Sequence, residues 1–145
     1  MKILVISDTH GQNEIVDILY KKHPNMDAYL HAGDCCSDPS LLSPFIVVRG
    51  NCDYYFDMNE RIILDTPYGK LLMQHVPNIS YSSLKKEGIK IFVHGHTHER
   101  RFQNIEGIYY VCPGSTSRER DQYSNGYCIL DIEKNSVSAT FFDID

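Results

Sequence analysis

No block of lysine or arginine appears anywhere in this 145-residue chain, whose 14 basic side chains are outnumbered by 19 acidic ones for a net charge of −5. That lack excludes general binding to nucleic acid or to an anionic membrane surface, both of which need a basic stripe. It does not bear on an active site, because a bound cation inverts the local field. No apolar run approaches the ~18 residues of a membrane span. The opening "MKILVIS" begins like a secretory leader, but Asp8 and His10 cut it short. CxxC spacing is also missing. The five cysteines (Cys35, Cys36, Cys52, Cys112 and Cys128) are odd in number and outline neither a disulfide framework nor a zinc knuckle. The expectation is a protein of a reducing compartment, the cytoplasm. Internal repeats, low-complexity segments and linkers are lacking too, so residues 1–145 are expected to form one domain with a real core. A hydrophobic content of 42% and a charged content of 23% are ordinary for a globular chain.

What is present is a series of short apolar runs. "KILVIS" is continuous enough to be a strand covered on both faces. "NEIVDILYKK" carries Ile15, Ile18 and Leu19 at helical spacing, with Asn13 as its expected cap. "DAYLHAGD" and "PFIVVRGNCD" read as further strands, and the alternation implies a parallel sheet. The second half is richer in strands: a hairpin around "PYG", a short helix "YSSLKKEG", then "KIFVHGH", "RRFQNIEGIYYVCPGS", "GYCILDIE" and "SVSATFFDI". Two packed sheets with few outer helices are expected.

Three of the seven histidines fall on alternate positions in "FVHGHTHER", at 94, 96 and 98. On an extended segment such residues share a face, so a strand end is expected to deliver up to three imidazoles to one place. Other strands end in ligand-type side chains as well: Asp8 and His10, Asp34, Asn51 and Asp53, and His75. Function in open α/β sheets gathers at the carboxyl ends of strands. Mixed oxygen and imidazole ligands suit divalent Mn, Fe, Ni or Zn. Two such ions about 4 Å apart, with a carboxylate between them, activate a bridging water for in-line attack on phosphorus.

The ordered motifs "DTH", "GD", "GNCD", "H" and "GHTH", followed by "PGSTSR", resemble the series of the calcineurin-like metallophosphoesterases, and within them the small YfcE-type phosphodiesterase branch. The resemblance implies a four-layer α/β/β/α sandwich of two mixed sheets. It implies that Asp8, His10 and His98 hold one metal and Asn51, His75 and His96 the other, with Asp34 as the bridge. Cys52 stands where the general pattern has a histidine that protonates the leaving group, a variation found in the YfcE-like branch. Asp53 is either a carboxylate that orients Asn51 or Cys52, or a turn residue. His31 and His94 are expected to be structural or supporting, and Arg49, Arg100, Arg118 and Arg120 are candidate phosphate contacts. The implied activity is phosphodiester hydrolysis with two divalent metal ions on a small phosphoester. The alternatives are a phosphomonoesterase or nucleotidase on the same site, or a non-catalytic scaffold like the retromer subunit of this superfamily. The filling of all seven ligand positions favours catalysis.

Overall fold

The computed structural model of the protein describes residues 1–54, 56–117 and 125–144. Two five-stranded mixed sheets pack face to face. The first has the order β10-β9-β1-β2-β3, built from β1 (Lys2–Ile6), β2 (Ala28–His31), β3 (Ile46–Val47), β9 (Gly126–Ile132) and β10 (Val137–Asp143). The second has the order β4-β5-β6-β8-β7, from β4 (Arg61–Thr66), β5 (Gly69–Gln74), β6 (Ile89–Val93), β7 (Arg100–Ile105) and β8 (Ile108–Pro113).

The period-2 geometry of strands explains the layers. In β1, Ile3 and Val5 point between the sheets, where they meet Leu71, Met73, Ile91, Val93 and Val111. Leu4 and Ile6 point the other way, against Val16 and Leu19 of helix α1 (Asn13–Lys22). In the second sheet Leu72 and Phe92 turn outward and are covered by Leu84 of helix α2 (Tyr81–Lys86). Each central strand is therefore apolar on both faces, and the order helix, sheet, sheet, helix follows. Fully burying each such aliphatic side chain contributes about 1.5–3 kcal/mol.

Some local expectations are revised. The apolar stripe of α1 runs through Val16 and Leu19, while Ile18 is 58% exposed. Asn13 is the first helical residue rather than the cap, and its side-chain oxygen accepts from Ser37 Oγ. The third strand shrinks to two residues, because the backbone leaves the ladder to donate from Arg49 N to Asn59 O. The "PYG" hairpin and the short helix, capped by Ser80 and followed by Gly88 at φ +75°, form as expected.

The parallel pairings β1–β2, β2–β3, β5–β6 and β6–β8 matter most for function. They send the carboxyl ends of six strands, and the loops that follow them, toward one region.

Candidate metal centre

Seven described non-glycine residues adopt a left-handed backbone, and six of them are Asp8, His10, Asp34, Cys36, His96 and His98. Such a conformation costs roughly 1–2 kcal/mol per residue for most L-amino acids and persists only where the surroundings over-determine it. Here they do. Asp8 N donates to Gly33 O at 2.9 Å, His10 N to Asp34 O at 3.1 Å and Gly11 N to Cys35 O at 2.7 Å, stitching the loop after β1 to the loop after β2. Ser115 and Ser117 of "PGSTS" donate from their hydroxyls to Asp8 O at 3.1 and 2.8 Å. Gly95 N donates to His75 O at 3.0 Å.

This changes the account of "FVHGHTHER". The strand ends at Val93, and His96 and His98 converge through left-handed turns at φ 72° and 61°, not through strand alternation. His94 is excluded from the cluster. Its Nδ1 bonds Gly95 O at 2.9 Å, and its Nε2 lies 3.2 Å from Arg101 Nη1. Burial pushes its pKa down to about 4, so it is neutral.

The remaining six residues and Asp34 come together. Asp8 Oδ1 lies 3.2 Å from His98 Nε2 and 3.8 Å from His75 Nε2. His75 Nε2 lies 3.3 Å from Asp34 Oδ2 and 2.9 Å from the Asn51 amide, which in turn is 3.2 Å from His96 Nδ1. The rings of His10 and His98 are 5.5 Å apart, and those of His75 and His96 are 5.3 Å apart. Ligand atoms of Asp8, His10 and His98 fall within 4.8 Å of one another, as do those of Asp8, Asp34 and His75.

The donor chemistry fits divalent cations. His75 Nδ1 bonds the carbonyl of Ala32 at 2.7 Å, so that nitrogen carries the hydrogen and donates it. Its Nε2 lone pair then faces carboxylate oxygens of Asp8 and Asp34, an arrangement that needs an electrophile in the middle. A proton meets that need: burial works against charge on His75, but the Asp34 hydrogen bond and the Asp8 carboxylate raise its pKa, and the protonated ring then donates from Nε2. A divalent ion meets it with more charge. Burial raises Asp8, whose Oδ1 is buried and makes no hydrogen bond, against the lowering effects of Ser7, His75 and His98. Burial acts on Asp34 in the same direction, yet hydrogen bonds from His75 and the Cys52 amide hold its carboxyl below the ordinary value.

Two expected catalytic residues are placed otherwise. The Asp53 carboxylate is 2% exposed and is spent on backbone amides: Asp34 N and Gly50 N at 2.9 and 2.7 Å, and Cys36 N at 2.9 Å. It clamps the loops after β2 and β3, and is not among the residues that line the cavity over the ligands. Cys52 is not a free thiol. It forms a disulfide with Cys36, so it has no proton to give in place of the family's histidine, and the expectation that the cysteines outline no disulfide framework is corrected at this pair. With that bond present, cysteine content no longer supports a reducing compartment. The sequence missed this pairing because the two cysteines sit in loops whose approach is set by parallel strand pairing.

Sequence reasoning also passed over two glycines. A Cβ on Gly50 would collide with the Asp34 carboxylate and amide, and one on Gly95 with Ser7 Oγ, which donates to Asp8 Oδ2 at 2.5 Å. The motifs "GN" and "GH" carry the glycine for this close approach. His31 ties the cluster together from below: it accepts from Gly33 N at Nδ1 (3.1 Å), so its Nε2 hydrogen goes to Thr9 Oγ1 (2.9 Å).

Two cavities have Asn51 in their walls. One, about 420 Å³, is lined by His10, Asp34, Asn51, His96, His98 and the disulfide. The other, about 300 Å³, shares Asn51 and His75 with the ligand set and extends past Arg49, Gln74 and Asn78. Arg49 Nη2 donates to Phe56 O at 2.9 Å, and its buried Nε makes no hydrogen bond. Arg100 is remote from this wall and pairs with Asp143 at 2.5 Å, while Arg118 and Arg120 lie outside the described residues. Tyr109 stacks on Phe102, Tyr110 packs on Phe92, and Tyr54 is 78% exposed.

A two-sheet sandwich with buried carboxylates and imidazoles converging at its strand ends is the frame of the metallophosphoesterase fold class. Residues 1–135 match the model of the calcineurin-like phosphoesterase superfamily domain, and the chain belongs to that family. It is 28% identical to the probable metallophosphoesterase YsnB of Bacillus subtilis over 155 aligned positions, covering 99% of this chain and 91% of that protein. A conserved uncharacterised protein of Streptococcus pneumoniae, described as a predicted phosphoesterase, superposes with a TM-score of 0.88 at 26% identity, covering 98% of this chain and 88% of that one. An archaeal phosphodiesterase has the same fold with a TM-score of 0.73 at 21% identity, covering 98% and 100% of the two chains.

Proposed function

We propose that this protein is a phosphodiesterase that uses two divalent metal ions. The observation that carries the reading is that Asp8 Oδ1 faces both His98 and His75 while Asp34 Oδ2 lies 3.3 Å from the same His75 nitrogen, so that the Asp8, His10, His98 and Asp8, Asp34, His75 groups adjoin. Asp8, His10 and His98 would hold one ion and Asn51, His75 and His96 the other, with Asp34 shared. When bound, such ions supply Lewis acidity toward a phosphoryl oxygen and lower the pKa of water.

The chain's own residues do the rest. Ala32 O fixes the tautomer of His75, Ser7 and the Ser115 and Ser117 hydroxyls hold Asp8, and Asp53 sets the spacing between Asp34 and Asn51. Such supporting bonds keep ligands in register with little reorganisation during reaction. His96 and His98 line the cavity and can orient a phosphoryl oxygen.

Two cavities on either side of Asn51 favour a diester over a monoester, because a diester has two substituents to place on either side of the phosphorus. The solved archaeal relative is described as a phosphodiesterase, which agrees with this choice. With both ester arms outside the ligand cluster, a small phosphoester substrate is expected. A disulfide-bonded Cys52 donates no proton, so leaving groups that depart without protonation, such as aryl oxides, are expected to react fastest.

The test is a panel of aryl and alkyl phosphodiesters and monoesters assayed with Mn, Ni, Co, Zn and Mg. Higher kcat/KM on aryl diesters than on the matching monoesters is expected. A preference for monoesters would identify a phosphomonoesterase on the same site. No turnover with any metal, in protein that binds two ions, would identify a scaffold.

A further inference from the structure

The Cys36–Cys52 bond lies on the wall of the 420 Å³ cavity, and no step of the phosphodiesterase reading uses either sulfur. Cys36 is exposed and Cys52 half-buried, so a small reductant or ion can reach both. Cys36 Sγ lies 3.6 Å from His10 Nδ1, and a ring nitrogen of His10 and the two sulfurs all fall within 4.8 Å of one another. The other ring nitrogen of His10 is buried. His10 therefore shows one nitrogen to the sulfurs and keeps the second on its inner side.

We propose that Cys36, Cys52 and His10 form a further metal site, of soft N,S₂ character, that exists only when the disulfide is reduced. The distances support it. With Zn–S near 2.3 Å and Zn–N near 2.0–2.1 Å, a tetrahedral site has an N···S edge of about 3.6 Å and an S···S edge of about 3.8 Å. The N···S edge to Cys36 is already present, and once the bond is reduced, side-chain rotation of Cys52 sets the two edges that include its own sulfur.

The loops do not need the disulfide to stay in place. Asp53 accepts from Cys36 N and Asp34 N on one loop and from Gly50 N on the other, so the two segments remain clamped when the bond opens. The thiols are thus left close together and preorganised. Reduction by a dithiol transfers two electrons: the protein disulfide becomes two thiols and the reductant becomes a disulfide. On binding a divalent ion each thiol releases one proton to solvent, and the sulfurs ligate as thiolates. Two thiolates and an imidazole select thiophilic ions such as Zn²⁺ or Cd²⁺ over Mg²⁺ and Mn²⁺. Such an ion would stand at the cavity mouth and share His10 with the hydrolytic set. Exchange with a small-molecule disulfide, which takes the two electrons and leaves as two thiols, re-forms the Cys36–Cys52 bond and releases the ion. The proposal concerns sulfur ligation and stands whether or not the phosphodiesterase reading holds.

Cobalt reports the site directly, because thiolate ligation gives a charge-transfer absorption that oxygen and imidazole ligands do not. Metal-stripped protein is titrated with Co²⁺ before and after reduction with a phosphine, with reactive thiols counted in parallel. Reduction is expected to expose two additional thiols and to produce the band, which saturates at one thiolate-bound ion per chain. Cys36→Ser and Cys52→Ser should each weaken Co²⁺ binding at this site at least tenfold and cut the band by half or more, with the far-UV spectrum unchanged. Cd²⁺ at one equivalent should displace the cobalt band. Unchanged thiol counts on reduction would overturn the gating. A reduced protein with two new thiols and no band would overturn the site, as would a band that persists in the double serine variant.

Discussion

His75 donates from Nδ1 to the carbonyl of Ala32 at 2.7 Å, and this one bond decides which of its nitrogens can serve as a ligand. Ala32 ends the second strand's apolar run, His75 follows the fifth strand, and 43 residues separate them. The contact joins the two sheets at the point where the ligands converge. It also presents Nε2 to Asp8, Asp34 and Asn51 together.

Metal content follows from the donor set. Purified protein loaded with Mn or Ni should bind close to two ions per chain through the O,N ligands. Chelation should abolish hydrolysis, and re-addition should restore it. Full turnover in protein shown by elemental analysis to be metal-free would rule out the mechanism.

Asp34→Asn removes the carboxylate proposed above as the shared ligand, which lies 3.3 Å from His75 Nε2. Its charge is expected to hold both ions, so kcat on an aryl diester should fall by several orders of magnitude. Activity within about tenfold of wild type would show that Asp34 is not the bridge. His94→Gln, which alters a residue facing Arg101 instead of the cluster, should have a much smaller effect.

Gly50→Ala tests the close approach of backbone and ligand. The new Cβ would occupy the place of the Asp34 carboxylate, so metal affinity should drop ~10–100-fold, as for other losses of ligand support. Isothermal titration with Mn measures this, and wild-type affinity would mean that the loop shifts without cost.

His31 makes stability depend on pH. Its pKa is lowered to about 4, chiefly by burial, against an unfolded value of 6.5. The unfolded chain therefore takes up this proton first as pH falls. The His31 contribution is fully present above about 6.5 and is lost progressively down to about 4, to a total on the order of 3 kcal/mol. Urea midpoints of wild type and His31→Gln should converge as pH drops through that window. Parallel curves would show that His31 is not the titrating group.

The sequence by itself determined the inventory of candidate ligands and the layer plan. Asp8, His10, Asp34, Asn51, His75, His96 and His98 each stand just after a short apolar run, and a run such as "KILVI" must be covered on both faces, which already demands outer helices over paired sheets. Those signals are local, written within a few residues of backbone. What only the tertiary structure decided depends on loops meeting across the sheets. The left-handed turns that aim His96 and His98, the diversion of His94 to Arg101, the use of Asp53 as a backbone clamp and the Cys36–Cys52 pairing all arise this way. Each is fixed by partners 7 to 88 residues away, such as Asp8 Oδ2 receiving His96 N, because parallel strand pairing and sheet packing bring distant loops to one edge. Periodicity along the chain carries no record of those distances.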